Sequence, residues 1–80
     1  MSETKTVSQV HAEEMLQLGL KAYLGQGVPT DRIEAHKWFN LSALMGCQAA
    51  RSYRSDIAAE MDHAEIAEAL RRARQALTLH

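Results

Sequence analysis

Gly25–Gln26–Gly27–Val28–Pro29–Thr30–Asp31 is the stretch on which the reading of the whole chain turns. Gly25, Gly27 and the only proline, Pro29, fall so close together that regular structure must break there. Upstream, Ala12, Met15, Leu16, Gly19, Ala22 and Tyr23 recur at intervals of three and four, the spacing of one face of an α-helix. This predicts a first helix from Ser8 to Leu24. Downstream, Asp31 followed three residues later by Glu34 has the pattern of a capping box, in which each side chain satisfies a free N–H of the first helical turn. A second helix therefore starts at Asp31. Its face is Ala35, Trp38, Phe39, Ser42 and Ala43, with Gly46 placed to cap the C-terminus. Trp38 and Phe39 are expected to form the core, with alanines of neighbouring helices packed around them.

A third pattern, Ala50, Tyr53, Ile57 and Met61, begins almost at once after Gly46. Asp62 with Glu65 repeats the capping-box spacing and opens a fourth, Ile66, Leu70, Ala73 and Leu77. Connections this short force neighbouring helices to lie antiparallel. The expected architecture is all-α: four helices in one domain over residues 1–80, arranged as two stacked antiparallel hairpins, 8–46 and 47–79.

Composition narrows what such a chain can do. Its 80 residues leave no room for a two-domain enzyme. A hydrophobic share of 46% with 24% charged is that of a chain that folds. Formal net charge is −1, without the basic excess that phosphate-backbone binding needs, so nucleic acid is not the expected main partner. A single cysteine, Cys47, excludes an intrachain disulfide and a multi-cysteine zinc site. Residues 1–10 carry no apolar run like that of a secretory signal, and nowhere do 18 consecutive apolar residues occur. A cytoplasmic location without membrane insertion is the expectation.

The chemistry-bearing residues read mostly as structural. His11, His36, His63 and His80 have neither each other nor a cysteine at ligand spacing, so no metal is expected. Cys47, at the start of the third helix, has no evident histidine or second cysteine beside it. Two of the acid pairs, Asp31/Glu34 and Asp62/Glu65, have capping roles, and Glu13/Glu14 point in different directions. Gly25–Gln26–Gly27 lacks the third glycine, the lysine and the preceding strand of a phosphate-binding loop, so no cofactor is expected. In the fourth helix, acids precede bases, which suits the helix dipole. In the third, Arg51 and Arg54 precede Asp56 and Glu60, against the dipole. A hairpin turning near Asp62 would set Arg51 and Arg54 alongside Arg71, Arg72 and Arg74 as a basic docking end.

Leu18–Gly19, then Gly25, Gly27–Val28, Asp31, Ala35, Trp38–Phe39, Ser42–Ala43, Gly46 and Ala50 resemble one Sel-one-like repeat, a relative of the tetratricopeptide repeat. The resemblance covers about residues 14 to 50, and residues 50 to 77 look like the degenerate helical pair that closes such arrays. Two departures stand out: Ala22 occupies the family's tyrosine position with Tyr23 one residue late, and Glu14 replaces a small alanine. Leu41, Leu44 and Met45 fall where many such repeats carry polar residues, and Leu20 and Leu24 of the first helix adjoin them. These five are the candidate interaction surface, with a homodimer the favoured use of it.

The resemblance implies a short α–α superhelix acting as a non-catalytic protein-interaction module, an adaptor or regulator with a protein partner. The competing reading is a small regulator or inhibitor that touches nucleic acid through a helix-turn-helix-like arrangement, with Arg51 and Arg54 on the reading helix. Acids on the same helix and the near-neutral charge weigh against it.

Overall fold

Asp31 stands in extended backbone at φ −144°, and its carboxylate accepts the Glu34 N–H at 3.1 Å, which starts the second helix. A computed structural model describes residues 7–78, so His80 and the N-terminal residues 1–6 lie outside the described residues. It contains α1 (Val7–Leu24), α2 (Arg32–Leu44), α3 (Gln48–Ala58) and α4 (His63–Thr78), with no strand among the described residues.

The two capping boxes differ. At α4 both halves form: Asp62 N–H donates to Glu65 Oε1 at 3.0 Å, and Glu65 N–H donates to Asp62 Oδ1 at 2.8 Å. At α2 only the first half forms, a correction to the expected reciprocal pair. Asp31 N–H donates to the Ala22 carbonyl at 2.9 Å, tying the loop back onto α1. Glu34, released from capping, accepts from Lys37 and from Arg72, each at 2.8 Å. Gly25 and Gly27 take φ of +72° and +78°, the left-handed backbone that side chains with a Cβ disfavour. Gly46 does the same at the end of α2, where Cys47 N–H reaches back to the Ser42 carbonyl at 3.1 Å.

Helix α2 is the hub, and each of the other three makes its main packing contact with it. α1 runs antiparallel to it, since Ser42 Oγ donates to the Ala12 carbonyl at 2.6 Å while Asp31 meets Ala22 at the opposite end. α3 is also antiparallel: Asn40 accepts from Arg54, and Arg32 Nη1 donates to the Glu60 carbonyl, both at 2.7 Å. α4 runs parallel to α2, with Arg32 facing Glu65 near the helix starts and Leu44 sharing a groove with Leu77 near the ends.

Phe39 occupies the centre, fully buried. Its ring meets Tyr23 of α1 edge-on at 6.1 Å and stacks on Tyr53 of α3 at 5.3 Å. Burying such a ring contributes about 1.5–3 kcal/mol. Ala22, Ala35, Ile57, Met61 and Ala69 complete the cluster. Trp38, expected beside Phe39 in the core, is only partly buried and lies on the surface side of α2. One residue of helix is a rotation of about 100°, so the two rings cannot share one face.

One further expectation is corrected. On α4 the buried positions are Ala69 and Ala73, with Ile66 packed against the core, whereas Leu70 and Leu77 are 41% and 55% exposed. Small side chains let α4 settle against α2, and the leucines ride on the flank. α3 and α4 run in opposite directions, as in the expected hairpin, with Arg51, Arg54, Arg71, Arg72 and Arg74 toward the Leu44 end of α2, but each helix makes its main packing contact with α2 rather than with the other. Arg54 ends on Asn40, whereas Arg72 ends on Glu34 and Glu68.

Candidate interaction surface

The residues proposed from sequence as an interaction surface are distributed by the fold rather than gathered. Leu41 is 2% exposed and belongs to the interior. Leu20 packs against the core cluster. Leu24, 59% exposed, lies at the C-terminal end of α1, beside the start of α2, while Leu44, 62% exposed, lies at the other end of α2. Met45 is partly buried in a groove formed with α1. The rule that missed Leu41 assigned burial by family position, but three helices surround α2, so more than one of its faces is covered.

What the fold gathers instead is an apolar strip across α1, α2 and α4. Its first part, about 390 Å³, has Leu18, Val28, Pro29 and Trp38 in its walls. Leu18 and Trp38 continue into a second hollow of about 420 Å³ with Met15, Met45 and Leu77, edged by His11 and Glu14. Leu77 in turn joins a third, about 370 Å³, between α2 and α4, where Leu44 and Leu70 face Ala67 and Ala73. Lys37 holds its ammonium 4.1 Å from the Trp38 ring centre, a cation–π contact that fixes the edge of the strip. Spacings of four and seven (Glu34, Trp38 and Met45 at the C-cap) along α2 alone would have found Trp38 on this side, but not its continuity with α4.

The charged groups are mostly held in structural contacts. Glu34 is partly buried, which pushes its pKa up, but the Lys37 and Arg72 hydrogen bonds outweigh this and hold it below the ordinary carboxylate range. Hydrogen bonds from Arg71 and Arg72 lower Glu68 likewise. Tyr23 donates its hydroxyl to Glu60 at 2.7 Å, and that bond raises its pKa. This explains the acid-after-base order of α3: Glu60 serves α1 and Arg54 serves α2, so tertiary contacts outweigh the helix dipole. Arg51 and Arg74 are exposed.

His36, weighed from the sequence only as a metal ligand, is a buried polar residue. It is 3% exposed, its Nδ1 has no hydrogen-bond partner, and burial, followed by the positive charge of Arg54, lowers its pKa. Among the described residues no three of His, Cys, Asp and Glu come together as metal ligands, and no helix is long and apolar enough to cross a membrane. Cys47, the N-terminal flanking residue of α3, is partly exposed and makes no side-chain cap. In comparisons with known proteins, no family profile, no curated protein and no solved structure matches the chain.

Proposed function

We propose that the chain is a non-catalytic protein-interaction module built as a short Sel-one-like helical array. The observation that carries this reading is the continuous apolar strip from Val28 through Leu18 and Trp38 to Leu77 and Leu44. Exposed apolar surface that is contiguous rather than scattered marks an interface. The repeat-like character is supported by the helix directions. α2 and α4 are parallel, with Arg32 and Glu65 paired across 33 residues, and Tyr23 joins the C-terminal end of α1 to that of α3 through Glu60. Stacking of like-directed helices is the general plan of helical-repeat proteins.

The test is affinity capture from a native extract using the tagged full chain, with light scattering of the purified protein alongside. Recovery of one protein in stoichiometric amount, lost on Trp38→Glu in a variant that still melts cooperatively, is the expected result. A dimer mass that the same substitution abolishes would make that partner a second copy. A monomer that captures nothing overturns the reading.

A further inference from the structure

The α2–α4 groove differs from the rest of the strip in its charge. Its apolar walls are Leu44, Leu70, Leu77, Ala67 and Ala73, and Arg74 stands among them. Asn40, also in the wall, accepts from Arg54 of α3 at 2.7 Å, which puts a second guanidinium at the groove's edge. Arg51 lies one turn before Arg54 on the same side of α3, and the antiparallel run of α3 brings it level with the Leu44 end of α2.

These three arginines are unlike the others. Arg32, Arg71 and Arg72 each pair with a carboxylate. Arg51, Arg54 and Arg74 have no acidic partner among the described residues, since the one acceptor of Arg54 is a neutral amide. Glu60 accepts the hydroxyl of Tyr23 of α1, and Glu68 is engaged by Arg71 and Arg72. A chain of formal net charge −1 thus concentrates uncompensated positive charge beside exposed leucines.

We infer that the α2–α4 groove docks an acidic amphipathic helix of a protein partner. Its apolar side chains seat on Leu44, Leu70 and Leu77, and its carboxylates pair with Arg51, Arg54 and Arg74. This rests on the interaction-module reading and names the chemistry of the partner. Leu70 and Leu77 lie about two helical turns apart, roughly 10 Å, so about three turns of the incoming helix cover the groove. A guanidinium carries five N–H donors in a planar fork, so Arg54, held by Asn40 through one of them, keeps donors free for a carboxylate in a pre-set orientation. A phosphate backbone would find no use for the leucines. A lipid surface would not reach into a concavity between two helices.

The experiment is fluorescence anisotropy with the full chain and a fluorescein-labelled peptide of about 14 residues, leucines at helical spacing and glutamates on the flanks, against the same peptide with lysines for glutamates. Binding of the acidic peptide is expected to be at least about tenfold tighter, weakening with salt, and to fall at least about tenfold in Arg51→Ala with Arg74→Ala. Both substituted positions are exposed, so the variant should melt as wild type does. Equal binding of the two peptides, or binding indifferent to the arginines, overturns the inference. So does tighter binding of random duplex DNA or of phosphatidylserine vesicles with the same arginine dependence. If the double variant binds no peptide but still captures the wild-type partner from extract, the groove inference falls and the module reading stands. If the wild type captures nothing, both fall.

Discussion

A methyl group placed on Gly19 would stand 2.6 Å from the ring carbons of Phe39, well inside contact distance. The backbone of α1 therefore lies directly against the central aromatic of α2, and the absence of a side chain at residue 19 is what lets the two helices of the hairpin approach. Gly19→Ala is expected to destabilise by about 1–3 kcal/mol through overpacking, even though alanine favours a helix by about 1 kcal/mol over glycine. Urea denaturation of the single variant, and of Gly19→Ala combined with Phe39→Leu, checks this. The double variant should lose less than the two singles added together.

The two adjacent aromatics of α2 should behave differently. Phe39→Ala removes a fully buried ring that touches Tyr23 and Tyr53 and is expected to cost about 3–5 kcal/mol, enough to unfold a domain of this size. Trp38→Ala takes away a partly exposed ring and should cost about 1–2 kcal/mol, leaving a cooperative transition. Circular dichroism melts of both variants decide it, and equal losses would place Trp38 in the core after all.

In the loop, Gly25 and Gly27 share left-handed backbone but not surroundings. A Cβ at residue 25 would come within 2.8 Å of Thr30 Oγ1, whereas one at residue 27 meets nothing within 4 Å. Each alanine substitution carries a backbone cost of about 1–2 kcal/mol, and Gly25→Ala should exceed Gly27→Ala. Chemical denaturation of the two variants gives the order directly.

Acid should weaken the fold in two stages. Burial and Arg54 lower the folded pKa of His36, so the unfolded chain takes up a proton first as pH drops below about 6.5. Stability from this group is full above that pH and declines from there toward the folded pKa. Glu34 and Glu68, also lowered on folding, contribute stability that is present above the ordinary carboxylate range and lost below it. Melting temperatures at pH 7.5 and pH 5.5 should therefore differ for the wild type. His36→Leu should flatten the difference, and an unchanged pH dependence in that variant would assign the first stage to another group.

Much of this was legible along the chain because it is local. Asp31, Asp62, Gly25, Gly27 and Gly46 act on backbone within a turn of themselves, so helix starts, helix ends and the one long loop follow from residue type and spacing. The interval of Gly19 with the hydrophobic positions of α1 likewise placed it on the packing face. The candidate surface was far less legible. Leu41 and Leu44 differ by three positions on one helix, yet one is interior and the other is 62% exposed.

The sequence by itself determined four helices and the turns between them, since hydrogen bonds within a few residues of each other decide those, although α3 ends at Ala58 short of the Met61 that its pattern included. Only the tertiary structure decided that α2 is the helix to which the others attach, that Ala69 and Ala73 rather than Leu70 and Leu77 face it, and that Arg51, Arg54 and Arg74 have no acidic partner among the described residues. An amphipathic pattern gives the direction in which a helix seeks burial but not how many neighbours meet it. Which of two adjacent faces is covered depends on how closely small residues allow two axes to approach, and that distance is a property of the pair of helices rather than of either one.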